Sequence, residues 1–205
     1  MKNKNLFSLV MLAILGAWAI VLRMFDFPIL PAAPFLKVDF SDLMVLIGMM
    51  IKGPIGAVAV ALIRDSVNYM MKGGEAGIPI GTMMSFLASM AMFLPTHFIL
   101  KHADRFKPTV RKVFMSLTLI LGLVLSMGIF NYFVALPIYV TVMNFPIPDI
   151  TAYLLSVIIP FNLIKGVILS VGQLIVVEKI WPEISKRNIE YEDYHLPINS
   201  SKVTI

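Results

Sequence analysis

Long uncharged runs alternate with short polar breaks along this 205-residue chain. Asn5 to Leu22 carries no charge and is closed by Arg23. Its length is close to the roughly 20 residues that a helix needs to cross a bilayer. A cleaved leader is the alternative, but the run is long for one, and Arg23 stands where small residues would mark a cleavage site. Leu43–Ile51 and Ile55–Ile63 are uncharged runs of nine, separated by Lys52-Gly53-Pro54. A single kinked span would fit this pattern. Two short helices joined at a turn fit it better, because proline is pre-set for the first helical position. The second would extend past Arg64-Asp65 to about Met71.

Ala76 to Leu100 is a full span, preceded by the loop Gly73–Gly77. Lys112 and Asp149 enclose 36 uncharged residues, too many for one crossing. Pro137, Pro146 and Pro148 interrupt the second half, so the pattern predicts a helix over Val113–Leu136 and then an apolar loop. The last span is expected over Pro160–Ile180, with room for a short segment before it from Asp149. Phe25–Asp42 reads as a loop, since Pro28, Pro31 and Pro34 prevent helix continuation. It is long and aromatic, as lids and binding segments are.

Composition supports this map. Hydrophobic residues make up 59% of the chain and charged residues 14%, with a mean hydropathy of +0.87. Soluble chains run at roughly 45–50% apolar and about 25% charged, so a lone water-soluble domain is excluded. The net charge of +5 raises nucleic acid as a partner, but in a membrane protein the place of each charge matters more than the sum. If both termini are inside, Lys2, Lys4, Lys52, Lys101, Arg105, Lys107, Arg111, Lys112, Lys179, Lys186, Arg187 and Lys202 lie inside, 12 of the 17 basic residues. Arg23, Lys37, Arg64, Lys72 and Lys165 are the other five. Positive residues concentrate on cytoplasmic segments. The expectation is an all-α, six-helix integral protein of the cell membrane over residues 1–180, with N and C termini cytoplasmic and 181–205 as a cytoplasmic tail. The tail's EYEDYH stretch, Glu190–His195, reads as a solvated extension.

Much chemistry is missing. There is no cysteine, and His97, His102 and His195 are scattered. No Gly-Lys dipeptide occurs, so there is no phosphate-binding ATPase loop. Metalloprotease and serine-hydrolase motifs are also absent. A solute carried by this chain must draw its energy from a partner.

Charges within a bilayer are costly and so point to function. Lys165 lies in PFNLIKG, three residues after Asn162, so the two share a helix face. A snorkelling lysine is the structural alternative. Asn131 near the outer end of its helix reads equally as an interhelical hydrogen bond. Arg64-Asp65 reads as an interfacial ion pair, with Asn68 on the Arg64 face. Lys72 and Glu75 read as loop charges, His97 as structural, and the 15 methionines as gap fillers. The loop bearing Phe35, Lys37, Asp39, Phe40 and Asp42 falls on the same outer side as Asn131, Asn162 and Lys165. Together they suggest an outward-open pocket for a flat heterocycle with a hydrogen-bonding edge. Ala13 and Ala17, beside Gly16, form a small-residue pair through which another helix could approach.

FLKVDFSD at Phe35–Asp42, GPIGA at Gly53–Ala57, NYFVALPIY at Asn131–Tyr139 and PFNLIKG at Pro160–Gly166 resemble the RibU family. Its members are riboflavin-binding S components of energy-coupling factor (ECF) transporters. The resemblance runs from residue 6 to about 180. It implies an outward-facing vitamin site capped by the first loop. Leu36, Lys37, Asp39, Phe40, Asn131, Asn162 and Lys165 would lie near the flavin, with Thr82, Met83 and Phe86 completing the wall. It implies no catalysis and no resident cofactor, riboflavin being the transported ligand. The partners implied are an ECF transmembrane subunit and two cytosolic ATPases, with Ala13 and Ala17 as the contact stripe. Transport would proceed by a tilt of the loaded protein. The competing readings are an S component for another vitamin, a channel or scaffold, and an intramembrane enzyme using Arg64, Asp65 and His97.

Overall fold

The structure, a computed structural model, describes residues 2–31, 33, 36–74, 77–194 and 196, with side chains from Leu6 onward. Phe35, Glu75, Ala76, His195 and Lys202, and the side chains of Lys2 and Lys4, lie outside the described residues. The chain is mostly helical. Helix α1 covers Lys2–Met24, α2 Ser41–Lys72 and α3 Ile80–Lys101. Helix α4 runs over Pro108–Met143 and α5 over Ile150–Lys186. Each of the 5 contains a stretch long and apolar enough to cross a membrane.

Helix α2 is folded back on itself. Lys52 and Gly53 leave helical geometry, and Gly53 takes φ 64°, ψ −156°, a conformation essentially reserved for glycine. Pro54 then opens the second arm, where its missing N–H has no partner to lose. The arms touch where side chains are absent. A Cβ on Gly56 would lie 2.0 Å from the Gly48 carbonyl oxygen. In one straight helix these two residues would be about 12 Å apart along the axis. The sequence pattern of two short helices at this turn therefore describes the backbone.

Helix α1 lies along the second arm. Leu12, Leu15, Gly16 and Ala19 form its buried stripe, and a Cβ on Gly16 would meet Ile63 at 2.7 Å. Met115, Leu119, Leu123 and Met127 make the inward face of α4. Thr96 Oγ1 donates to Gln173 Oε1 at 2.8 Å, and Gln173 Nε2 donates to the Met115 carbonyl at 3.0 Å. That buried pair ties α3, α4 and α5 together.

Four expectations from the sequence are corrected. Helix α3 starts at Ile80, behind Pro79, rather than at Ala76. Helix α4 starts at Pro108 and does not stop at Leu136. A wide π turn over Asn131–Ala135 precedes Pro137 and lets the helix continue through Met143, because a widened turn leaves room for a ring and tolerates a missing N–H. The same device, Leu154–Ile158 ahead of Pro160, makes α5 continuous from Ile150. Asp149 caps α5, its carboxylate accepting from the N–H groups of Thr151 and Ala152. Within the EYEDYH stretch, Glu190–Tyr194 is packed rather than solvated. Tyr191 N–H donates to the Met50 carbonyl at 2.9 Å, and Tyr191's ring covers Gly53. Tyr194 is buried against Trp181, with its hydroxyl 2.9 Å from His97 Nδ1. Desolvation pushes the Tyr194 phenol upward from its ordinary pKa. Aromatic area outweighs the polar character of this stretch, and His97 has the structural role expected of it.

Candidate functional site

One end of the helical bundle, where α1 leads into α2, encloses a cavity of about 510 Å³. Its cover is the segment between α1 and α2. Strands β1 (Phe27–Pro28) and β2 (Lys37–Val38) pair antiparallel and fold that segment inward. Lys37 Nζ is 2.9 Å from Asp26 Oδ1, and Lys72 Nζ reaches the other Asp26 oxygen at 3.6 Å. The cover is thereby pinned to α2. Asp39 accepts the Ser41 N–H at 2.8 Å and fixes the joint between cover and helix.

Of the residues expected at the site, Leu36, Lys37, Asp39, Thr82, Asn131, Asn162 and Lys165 line this one cavity. They come from the cover, α3, α4 and α5. Phe40, Met83 and Phe86 do not line it. Phe40 points outward beside Phe27, with ring centroids 6.4 Å apart. On α3 the cavity face is Gly81, Met84, Ser85 and Ala88 with Thr82, the i, i+3, i+4, i+7 stripe of a helix. Met83 falls outside that stripe and is 58% exposed, while Phe86 packs on the core.

Both asparagines are anchored by their own helices. Asn131 Nδ2 donates to the Met127 carbonyl at 2.7 Å, and Asn162 Nδ2 to the Ile158 carbonyl at 2.8 Å. Each amide is held in one orientation by its donor side, which presents Oδ1 as an acceptor. Lys165 stands one turn from Asn162, its Nζ 3.6 Å from Asp42 Oδ2. Apolar walls come from Leu136, Tyr139, Phe145, Ile147, Ile158 and Phe161.

Behind the wall lies a charged network for which the sequence shows only fragments. Arg64 is fully buried. Its Nε and Nη2 donate to the two oxygens of Asp65, each at 2.9 Å. Its Nη1 donates to Asp42 Oδ1 at 2.7 Å and to Ser41 Oγ at 3.1 Å. Nη2 also reaches Ser85 and Ser89, both at 3.0 Å, and Ser89 donates to Asp42 at 2.6 Å. Arg23 joins through Asp65 at 3.0 Å. The interfacial ion pair expected for Arg64-Asp65 is thus a buried network reaching five segments: α1, both arms of α2, α3 and α5. Its two carboxylates, Asp42 and Asp65, face three cations, Arg23, Arg64 and Lys165.

Arg23, Asp26, Asn68, Lys72 and Ser85 also line the cavity and are absent from the residues expected there. The signal for Arg23 was its place at the C-terminal end of the first uncharged run. For Asn68 it was the shared face with Arg64. His97 lies far from Arg64 and Asp65 in the fold, bonded to Tyr194, so the three do not assemble as the intramembrane-enzyme reading requires.

A charged network beneath a roofed, apolar-walled cavity, set in a bundle of membrane-length helices, is the architecture of a small-solute carrier rather than a pore. The family described as ECF transporter, substrate-specific component, matches residues 7–177, and the chain belongs to it. It is similar to the riboflavin transporter FmnP of Bacillus subtilis, 32% identical over 186 residues, covering 88% of this chain and 95% of that one. It is 34% identical over 172 residues to the riboflavin transporter RibU of Staphylococcus aureus, covering 83% and 86%. A solved S component of a bacterial ECF transporter superposes with a TM-score of 0.71 at 28% identity, over 88% of this chain and 96% of that one. The chain is a transport component and not an enzyme.

Proposed function

We propose that the chain captures riboflavin in the cavity beneath residues 36–39 and delivers it inward as the substrate-binding subunit of an ECF importer. The convergence of Asn131, Asn162 and Lys165 from two helices on one aromatic-walled cavity carries this reading. Cavities of roughly 300–1,000 Å³ suit ligands of this size. Leu136, Tyr139 and Phe161 supply apolar surface for the ring system. The asparagine oxygens and the lysine ammonium match the hydrogen-bonding edge of the isoalloxazine. Riboflavin is also the substrate in the names of the relatives.

The two arms of α2 count as two crossings, giving six in the cell membrane. Both termini, and the tail from 181, are then cytoplasmic, and the cavity opens outward. This orientation places the basic segment Lys101–Lys112 inside, in keeping with the positive-inside rule. Ala13 and Ala17 are exposed on α1, on the side away from α2. They offer a close-approach surface to the importer's transmembrane subunit, which works with two cytosolic ATPases.

Titration of detergent-purified protein with riboflavin tests the proposal. Flavin fluorescence should be quenched to a one-to-one end point, and unrelated vitamins should not compete. No quenching at micromolar flavin, or equal competition by an unrelated vitamin, would overturn it.

A further inference from the structure

On the α3 wall of the cavity, Ser85 stands between the buried charges and the space for the ligand. Two guanidinium groups aim at its hydroxyl oxygen. Arg23 Nη1 donates to it from α1, and Arg64 Nη2 donates at 3.0 Å from the second arm of α2. Arg64 shares that donor with Ser89 Oγ, also at 3.0 Å. Both arginines are fixed from the other side. Arg64 is held by Asp42 and Asp65, and Arg23 by Asp65 at 3.0 Å.

A serine hydroxyl has two lone pairs that accept and one proton that it can donate. At Ser85 two N–H donors occupy the accepting side, and the proton meets no acceptor among the described residues. Ser89, one turn deeper, differs: it spends its proton on Asp42 Oδ1 at 2.6 Å. Ser89 is also fully buried, whereas Ser85 lines the cavity. Each donor to Ser85 carries positive charge, which polarises the O–H and strengthens it as a donor in a low-dielectric setting. A ligand donor brought to this oxygen would find its lone pairs engaged and two cations behind it. A ligand acceptor would find a free, polarised O–H.

We propose that Ser85 is a specificity-determining contact of the site, its hydroxyl donating to an acceptor oxygen or nitrogen of the bound flavin. The proposal rests on the flavin reading above and adds α3 to the two helices that supply Asn131, Asn162 and Lys165. Through this one O–H, the positive side of the buried network reaches the ligand without exposing a charge to it. Flavin offers such acceptors in two places, the carbonyls and ring nitrogens of the isoalloxazine and the oxygens of the ribityl chain.

Titration of detergent-purified protein with riboflavin and with lumiflavin, which keeps the rings and lacks the ribityl chain, tests the assignment. Ser85→Ala should weaken riboflavin binding by about fivefold to tenfold, as loss of one hydrogen bond does. Ser85→Thr, which keeps the O–H, should restore most of the affinity. Ser85→Cys keeps a side chain of similar size with a weak donor, and its affinity should fall between wild type and Ser85→Ala. Thermal unfolding of the flavin-free proteins reports whether each variant is folded. A serine that only braced the arginines would lower the midpoint in Ser85→Ala and leave the affinity of the folded protein unchanged. Equal losses with both flavins place the acceptor on the rings, and a loss with riboflavin alone places it on the ribityl chain; both support donation by Ser85. Wild-type affinity in folded Ser85→Ala or Ser85→Cys, or equal losses in folded Ser85→Ala and Ser85→Thr, would overturn the proposal. Absence of quenching in the wild type would instead overturn the flavin reading on which it rests.

Discussion

At Asp42, one carboxylate receives Arg64 Nη1 at 2.7 Å and Ser89 Oγ at 2.6 Å, and faces Lys165 Nζ at 3.6 Å. This residue lies in the first turn of α2, directly after the cover, so cover, buried network and cavity-lining lysine share a single group. Replacing Arg64 by Met would leave Asp65 with Arg23 alone and Asp42 with the more distant Lys165, and removing one partner from a buried ion network costs about 3–5 kcal/mol in comparable cases. The apparent midpoint of thermal unfolding should fall far more for Arg64→Met than for Leu125→Ala on the lipid-facing side; equal shifts would show that the network carries no stability. Under the proposed function, Lys165→Ala and Asn162→Ala act on ligand binding instead. Each should weaken riboflavin binding by about 0.5–1.5 kcal/mol, and up to about 3 where the ammonium takes part. Unchanged affinity in both variants would remove these two side chains from the site.

Helix α2 sets the distance between Asp42 and Arg64, which are 22 residues apart and in contact. In a straight helix they would be separated by about 33 Å. The turn at Gly53 and the glycine crossing at Gly48 and Gly56 together bring them back. Gly56→Ala would drive a methyl group onto backbone, 2.0 Å from the Gly48 oxygen. Overpacking of this kind costs about 1–3 kcal/mol. The arms would also separate, so flavin affinity should fall along with the unfolding midpoint. A variant with wild-type affinity and stability would mean that the arms do not cross at this point. The π turns ahead of Pro137 and Pro160 serve the site in another way. They let α4 and α5 pass these prolines without ending, and so keep Asn131, the first residue of one turn, and Asn162, just past the other, on continuous helices.

Over the whole molecule, the exposed surface is apolar where a soluble protein's would be polar. Leu9, Val10, Ile14 and Trp18 on α1, and Leu121, Leu125 and Ile129 on α4, are exposed. Patches on this scale are covered by lipid or by another protein. Ala13 and Ala17 interrupt the bulky residues on α1, where a partner helix could come close. Ala17→Trp should therefore leave riboflavin binding intact in the isolated protein and abolish ATP-driven uptake in vesicles reconstituted with the full importer. Loss of binding as well would mean that this face packs within the chain. At the other end, Tyr191 covers the α2 turn at Gly53 while Tyr194 and Leu196 join the core, so residues 189–194 and the bundle form one packed body.

The sequence by itself determined where helices lie and where α2 must turn, because apolar run length and Lys-Gly-Pro chemistry act locally. It also placed Leu36, Lys37, Asp39, Thr82, Asn131, Asn162 and Lys165 together, through the resemblance of short motifs. Only the tertiary structure decided that Pro137 and Pro160 lie within helices, since a neighbouring wide turn can absorb a proline. It decided likewise which face of α3 lines the cavity, leaving Met83 and Phe86 outside. It turned Arg64 from an interfacial charge into the centre of a network and drew Glu190–Tyr194 onto the bundle. In each case the outcome depended on what packs opposite a residue, and a burial partner far along the chain leaves no mark on the local pattern.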